Sequence, residues 1–315
     1  MRSVLALVVI LVSVLGWAQG TSLTQTQNQI SVQKFKSKAM KDSRLKHQKF
    51  AQLTRTETLS QSALGTPRLD QEDGIFSGIL NASYSRSLVN QVNGTLQSSQ
   101  ALLLIMNTKL SADWTLSNRV SMSQDLRNEE SLDDGFSDLL FILLRRPNEL
   151  NGWLLGSPIF IGVLPTAERS TTVHNLQTSI SAGYNFIINP EVMAKGFNVS
   201  LNVAASRNFH TFETDKSGNV LNQYGLRETI STAYGFGKWA FSADFVFRHA
   251  MTYQNNWVQA FEHSQEAAYS VSKNWAFTMG HTNSGSWLAP NGQDSNFKLI
   301  NEDDSIIYVS TSLVF

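Results

Sequence analysis

The chain contains no cysteine. That excludes a disulfide framework, a thiolate metal centre, a Cys nucleophile and a lipidated N-terminal Cys. Charge is scarce as well. Only 16% of the 315 residues are charged, 25 of each sign, so the formal net charge is zero. Such a chain has no global field to attract nucleic acid, and no nucleic-acid partner is expected. Past the N-terminus no stretch reaches the length of apolar sequence that a membrane-crossing helix requires, about 18 residues. There is no phosphate-binding Gly loop and no convincing zinc-ligand spacing, so no cofactor is expected. Hydrophobic residues still make up 42%, with a mean hydropathy of −0.17. Ser, Thr, Asn, Gln and Gly supply most of the rest, an unusual texture for a cytosolic enzyme.

Residues 1–18 read as a secretory signal peptide. Arg2 gives a charged start, an apolar run extends from Val4 to Leu15, and Gly16-Trp17-Ala18 offers small residues at a cleavage site. The apolar run is too short to span a bilayer, which needs roughly 20 residues. Residues 19–73 form a second region, polar, basic and rich in Gln, Ser and Thr. Eight Lys/Arg stand against two Asp/Glu between Gln19 and Pro67. Its large apolar residues, among them Ile30, Phe35, Leu45 and Phe50, keep no helical period. The segment reads as a disordered or marginally helical extension.

From residue 74 onward short segments alternate apolar and polar positions. Phe197, Val199, Leu201, Val203 and Ala205 share one face, with Asn198, Ser200 and Asn202 on the other. Leu176–Phe186 and Trp239–Phe247 behave alike, and period two is the strand signature. Twelve strands are expected, near 75–86, 100–110, 114–124, 136–146, 155–165, 174–187, 196–209, 223–236, 239–250, 259–271, 275–283 and 305–315. The fourth and fifth, over Leu139–Leu144 and Ile159–Leu164, are apolar on both faces, so alternation alone leaves their phase open.

The connections alternate in length. Short ones fall at Ser111–Asp113, Gly237-Lys238 and Ser272–Asn274, and long ones near 87–99, 125–135, 210–222 and 284–304. Gly218, Asn283–Gly285 and Asn291-Gly292 read as loop turns. Asp133, Asp134, Asp294, Asp303 and Asp304 make these long loops acidic. Trp114, Trp239 and Trp275 each open a strand directly after a short turn, as an aromatic girdle at a membrane–water interface would. The expected fold is therefore an all-β, antiparallel, up-and-down transmembrane β-barrel of about twelve strands over 74–315. A soluble sandwich would also alternate, but it would bury its aromatics at mid-strand.

At the C-terminus Ile307, Val309, Thr311, Leu313 and Phe315 alternate and end on an aromatic. The segment resembles the C-terminal targeting signal of bacterial outer-membrane barrels. That resemblance implies an outer-membrane location in a Gram-negative bacterium. The implied partners are the barrel-insertion machinery, outer-membrane lipids and lipopolysaccharide. A second resemblance covers residues 135–187. Gly135-Phe-Ser-Asp138 followed by Leu164-Pro165-Thr166 is similar to the Gly-x-x-Asp strand start and Leu-Pro-Thr-Gly strand end of outer-membrane transporters of the phenol-degradation type. Ala167 replaces the final Gly.

With apolar faces toward lipid, the other phase lines a lumen. Arg119, Arg207, Arg227, Asp244, Arg248, Glu262 and Glu266 are the lumen-lining candidates. Charges there can orient a solute or pair across the barrel and seal it. His249, His263 and His281 sit near the outer ends of three consecutive strands, in the outward phase. They are candidate metal ligands if they converge and plain polar residues of the outer rim if they do not. His281-Thr-Asn283-Ser284-Gly285 loosely resembles the His-x-Ser-Asn-Gly stretch of outer-membrane phospholipases and lipid A deacylases. Asn283 stands where those enzymes carry the nucleophilic Ser, and no catalytic residue is assigned. The expected function is passive passage of a small solute. A lipid-facing hydrolase and a structural or surface-interaction barrel are the alternatives.

Overall fold

The computed structural model describes residues 75–88, 98–126, 135–288, 294–301 and 305–315. The expectations for 1–18 and 19–73 lie outside the described residues. So do Asp133, Asp134, Asp303 and Asp304.

Fourteen strands form one sheet. In chain order they are β1 Phe76–Ser87, β2 Ser98–Lys109, β3 Trp114–Asp125, β4 Gly135–Phe136, β5 Leu139–Arg145, β6 Asn148–Asn151 and β7 Leu154–Leu164. There follow β8 Leu176–Ile188, β9 Phe197–His210, β10 Asn222–Phe236, β11 Trp239–Thr252, β12 Trp257–Ser270, β13 Trp275–Ser286 and β14 Ile306–Val314. β4 and β6 are short extensions that pair with β3 and β7. The other twelve are antiparallel to their sequence neighbours, and β14 pairs with β1 from Ile79↔Val314 to Ser87↔Ile306. That last pairing closes the barrel, which leaves the twelve strands without a free edge.

The connections sort into two ends. The short-turn end carries Leu110–Asp113, 146–153, 189–196, Gly237-Lys238 and 271–274. The loop end carries 126–134, 165–175, 211–221 and 287–305 among others. Two details depart from the spacing argument. β13 continues to Ser286, so Asn283–Gly285 are strand residues, not a loop turn. Their direct pairing with Phe261–His263 outweighs their turn-forming character. The β11–β12 connection is four residues long although it lies at the loop end.

Closure is helped by side chains that fill space left by glycine. The backbone of Gly78 exchanges hydrogen bonds with that of Phe315, 2.7 and 3.0 Å. The Phe315 ring occupies the space a Cβ at position 78 would need. At the loop end Asp138 ties β5 to the turn after β7. Its Oδ1 accepts the backbone N–H groups of Thr166 and Ala167, each at 3.0 Å, and its Oδ2 accepts the Ser170 hydroxyl at 2.6 Å. The Gly-x-x-Asp and Leu-Pro-Thr segments thus meet in space through one carboxylate.

Register and burial assign the faces. Antiparallel partners share a face. Asn81, Ser117, Ser121, Ser264, Thr278, Ser310 and Ser312 are buried on one face, while Leu102, Met122, Phe160, Ile180, Met279 and Leu313 are exposed on the other. Small polar residues point inward and large apolar ones outward, inverted relative to a soluble protein.

Candidate functional site

The barrel interior has two unlike walls. One is built by β10, β11, β12 and β14. Arg227 pairs in register with Arg248, and Asp244 lies between Ser231 and Ser264. Glu262 and Glu266 lie on the same inner face. These charges are matched along the wall. Arg248 Nη2 stands 3.0 Å from Glu262 Oε2, and Glu262 is almost fully buried. Tyr308 donates its hydroxyl to Glu266, and Ser242 approaches the same carboxylate at 3.4 Å. Ser231 hydrogen-bonds Asp244, with Arg227 close by. Pairing between adjacent strands thus matches Arg248 with Glu262 locally.

The second wall is built by β2, β3, β5 and β7, and its middle is apolar apart from β3, which turns Ser117, Arg119 and Ser121 inward. Ile105, Leu140, Ile142, Ile159, Ile161 and Val163 all face inward. The double-sided apolarity of β5 and β7 is thereby explained: their odd and even positions, respectively, face out as on other strands, and the inner positions are apolar too. The signal was visible in the sequence, but alternation gave no phase to read it with. Arg119 stands within this wall, between Ile105 and Leu140 in the pairing. Its strand is six places from β11 around the twelve, so it lies opposite the charged wall. Its Nε is buried and makes no hydrogen bond.

Six of the seven lumen candidates, Arg119, Arg227, Asp244, Arg248, Glu262 and Glu266, are on the inner face. Arg207 is not. It pairs with Ile180 and Tyr224 on the outer face, in the phase of Leu201 and Val203. Its guanidinium lies 5.0 Å from the Phe209 ring centroid and 5.4 Å from that of Tyr224. Near the loop end of β9 an arginine can keep its aliphatic stem on the wall and rest its charge on aromatic faces. Its charge therefore does not require the inner phase.

The histidines are outward, but two are not rim residues. His263 is fully buried and sits midway along β12. The segment Asn296–Lys298 folds over the outside of the wall. Phe297 packs on Phe261 and His263, with centroids at 5.1 and 5.6 Å. His263 Nε2 donates to the Lys298 carbonyl at 3.0 Å, and Asn283 Nδ2 donates to the same oxygen at 2.7 Å. Gln265 joins His263 Nδ1 at 2.8 Å to His281 Nδ1 at 2.9 Å. An irregular backbone against lipid must have its polar groups satisfied. His263 and Asn283 do that for Lys298. The ring nitrogens of His263 are thus both engaged, and His249 is apart, 3.4 Å from Gln259. Among the described residues no group of three or more His, Cys, Asp or Glu is arranged to hold a metal. Ser284 pairs with Glu262 on the inner face, opposite in phase to His281, so the two are not a nucleophile and its base.

Trp114, Trp239 and Trp275 all lie outward at the short-turn end, the last two well exposed. Trp275 Nε1 donates to Thr311 Oγ1 at 2.7 Å. On β14 Ile307, Val309, Leu313 and the adjoining Phe315 are exposed outward.

These features meet in one solved fold. The structure is similar to the COG4313 outer membrane channel from Pseudomonas putida F1, with a TM-score of 0.53 and 12% identity over 77% of this chain and 96% of that one. The fold shared with it is a closed antiparallel barrel of twelve strands. The NanC porin aligns over 74% of this chain and 98% of its own at 11% identity, with a TM-score of 0.48. No family model and no curated protein matches the sequence.

Proposed function

We propose that this barrel is a channel of the Gram-negative outer membrane, exported by its signal peptide, through which small solutes pass passively. The observation that carries the reading is the inner face. A closed twelve-strand barrel turns Ser, Thr, Asn and strand-to-strand charge pairs inward and apolar side chains outward. A wet interior solvates such residues, and lipid solvates the others. The Trp girdle would fix the depth of the barrel in the bilayer. The outward edge of β14, ending in Phe315, would present the segment to the barrel-insertion machinery. Lipopolysaccharide and phospholipid would cover the outer wall, with Arg207 within reach of their phosphates. Planar-bilayer recording on the refolded full chain tests the reading. Discrete conductance steps are expected, and their absence at any voltage refutes passage.

A further inference from the structure

The two walls make different demands on a solute. Acidic and basic groups of the β10–β12 wall are matched with one another. On the opposite wall the inner positions next to Arg119 (Ser117 and Ser121 along its strand, Ile105 and Leu140 across it) include no carboxylate. Arg119 makes no ion pair with a described residue, its Nε is buried without a hydrogen bond, and its register neighbours are Ile105 and Leu140. Beyond them half-buried Ile161 and Val163 extend the apolar surface, next to buried Ile142. Leu140, Ile161 and Val163 are only half-buried, so they are the apolar positions that a solute inside the barrel can reach. A guanidinium held on the inner face without an ion pair calls for an anion, and its fork matches a carboxylate with two hydrogen bonds.

We propose that Arg119 and the surrounding apolar wall form a binding site for small organic monoanions that carry an apolar body. The carboxylate rests on the Arg119 guanidinium, and the hydrocarbon body lies on Leu140, Ile161 and Val163. The proposal deepens the channel reading by naming the solute class of that lumen. It separates two kinds of apolar solute, since a neutral molecule of the same shape gains the wall but not the charge.

Isothermal titration of the refolded full chain with benzoate and with benzamide tests the site without reference to conductance. Benzoate is expected to bind about tenfold more tightly than benzamide, the factor a charge-assisted hydrogen bond supplies. Arg119→Gln, checked for folding by heat-modifiability, should abolish that preference, and Arg119→Lys should restore part of it. Equal binding of the two probes, no binding of either, or a preference that survives in folded Arg119→Gln overturns the proposal. The wild-type comparison decides even if the variants do not fold. Conductance steps without benzoate preference would defeat this site and leave the channel standing. Benzoate preference without conductance would defeat the channel and leave the site.

Discussion

Replacing Gly280 with Ala should destabilise the barrel through one defined collision. Gly280 and Tyr308 are paired across β13 and β14 on the inner face. The Tyr308 ring lies flat over the glycine. A Cβ at position 280 would stand 2.8 Å from Tyr308 Cε1 and nearer still to Cζ and the hydroxyl. Carbon atoms in contact prefer about 3.5–4.0 Å, so the ring must move by roughly an ångström. It has nowhere to go, because Tyr308 is 2% exposed. Its displacement also pulls the hydroxyl from Glu266, itself buried. Overpacking of this kind costs about 1–3 kcal/mol, and weakening a hydrogen bond to a charged group adds about 1.5 kcal/mol. We expect a loss of about 3 kcal/mol in urea unfolding of the refolded protein, followed by tryptophan fluorescence. Tyr308→Ala should cost a similar amount alone. The double variant should cost much less than the sum, because the collision disappears with the ring. A midpoint for Gly280→Ala equal to wild type, or strict additivity in the double variant, would refute the reasoning.

Other outcomes follow from the same geometry. Cys at position 202 should react with small aqueous thiol reagents in intact membranes while Cys at 201 is shielded by lipid, since Asn202 pairs with Asn185 and Thr229 on the inner face and Leu201 with Phe186 and Ile230 on the outer; equal labelling would reverse or abolish the assigned faces. Arg248→Met should cost about 3 kcal/mol, because it removes the guanidinium 3.0 Å from buried Glu262, and Arg248→Met with Glu262→Gln should recover part of the loss in the same unfolding assay. Deletion of Phe315, or Gly78→Val, should lower the yield of heat-modifiable barrel, since each disrupts the closure of β1 on the chain end; unchanged yield would count against that closure. In the loop end, burial alone would raise the Asp215 carboxyl, but hydrogen bonds from the Asn219 side chain and backbone and the Ser217 N–H, with His174 nearby, together hold it below the usual carboxylate range. A depressed carboxyl stabilises the loop above its unfolded value, and the contribution is lost as pH falls through the folded value; protection of the 211–221 amides should therefore decline below about pH 4, and Asp215→Asn should remove the pH dependence.

The sequence determined more of the barrel than of its contents. Strand count, strand limits, the outward Trp positions and the alternating face of β14 follow from period-two patterning, because a strand with lipid on one side has only one phase that avoids burying polar groups in hydrocarbon. Charge misleads at Arg207: parity with Leu201 and Val203 places it outward, and the structure follows parity. Alternation is silent for β5 and β7, whose inner positions are as apolar as their outer ones. The composition of Asn283–Gly285 reads as a loop, since an outward Asn283 makes sense as strand only once Phe297 and Lys298 cover it.

What tertiary structure alone decided is adjacency between residues far apart in the chain. Alternation says that Glu266, Tyr308 and Gly280 face inward, but not that a tyrosine fills the space above a glycine to reach a carboxylate 42 positions away. The Gly135–Asp138 resemblance puts Asp138 at a strand start, but does not say that it holds the turn after β7. Alternation cannot say that a lone arginine stands opposite a wall of matched charges, because which strands oppose each other depends on how many close the ring. Local periodicity fixes the direction in which each side chain points, through steric rules that act over two residues. Which side chain it meets there is set by register and closure, and those are properties of the whole barrel.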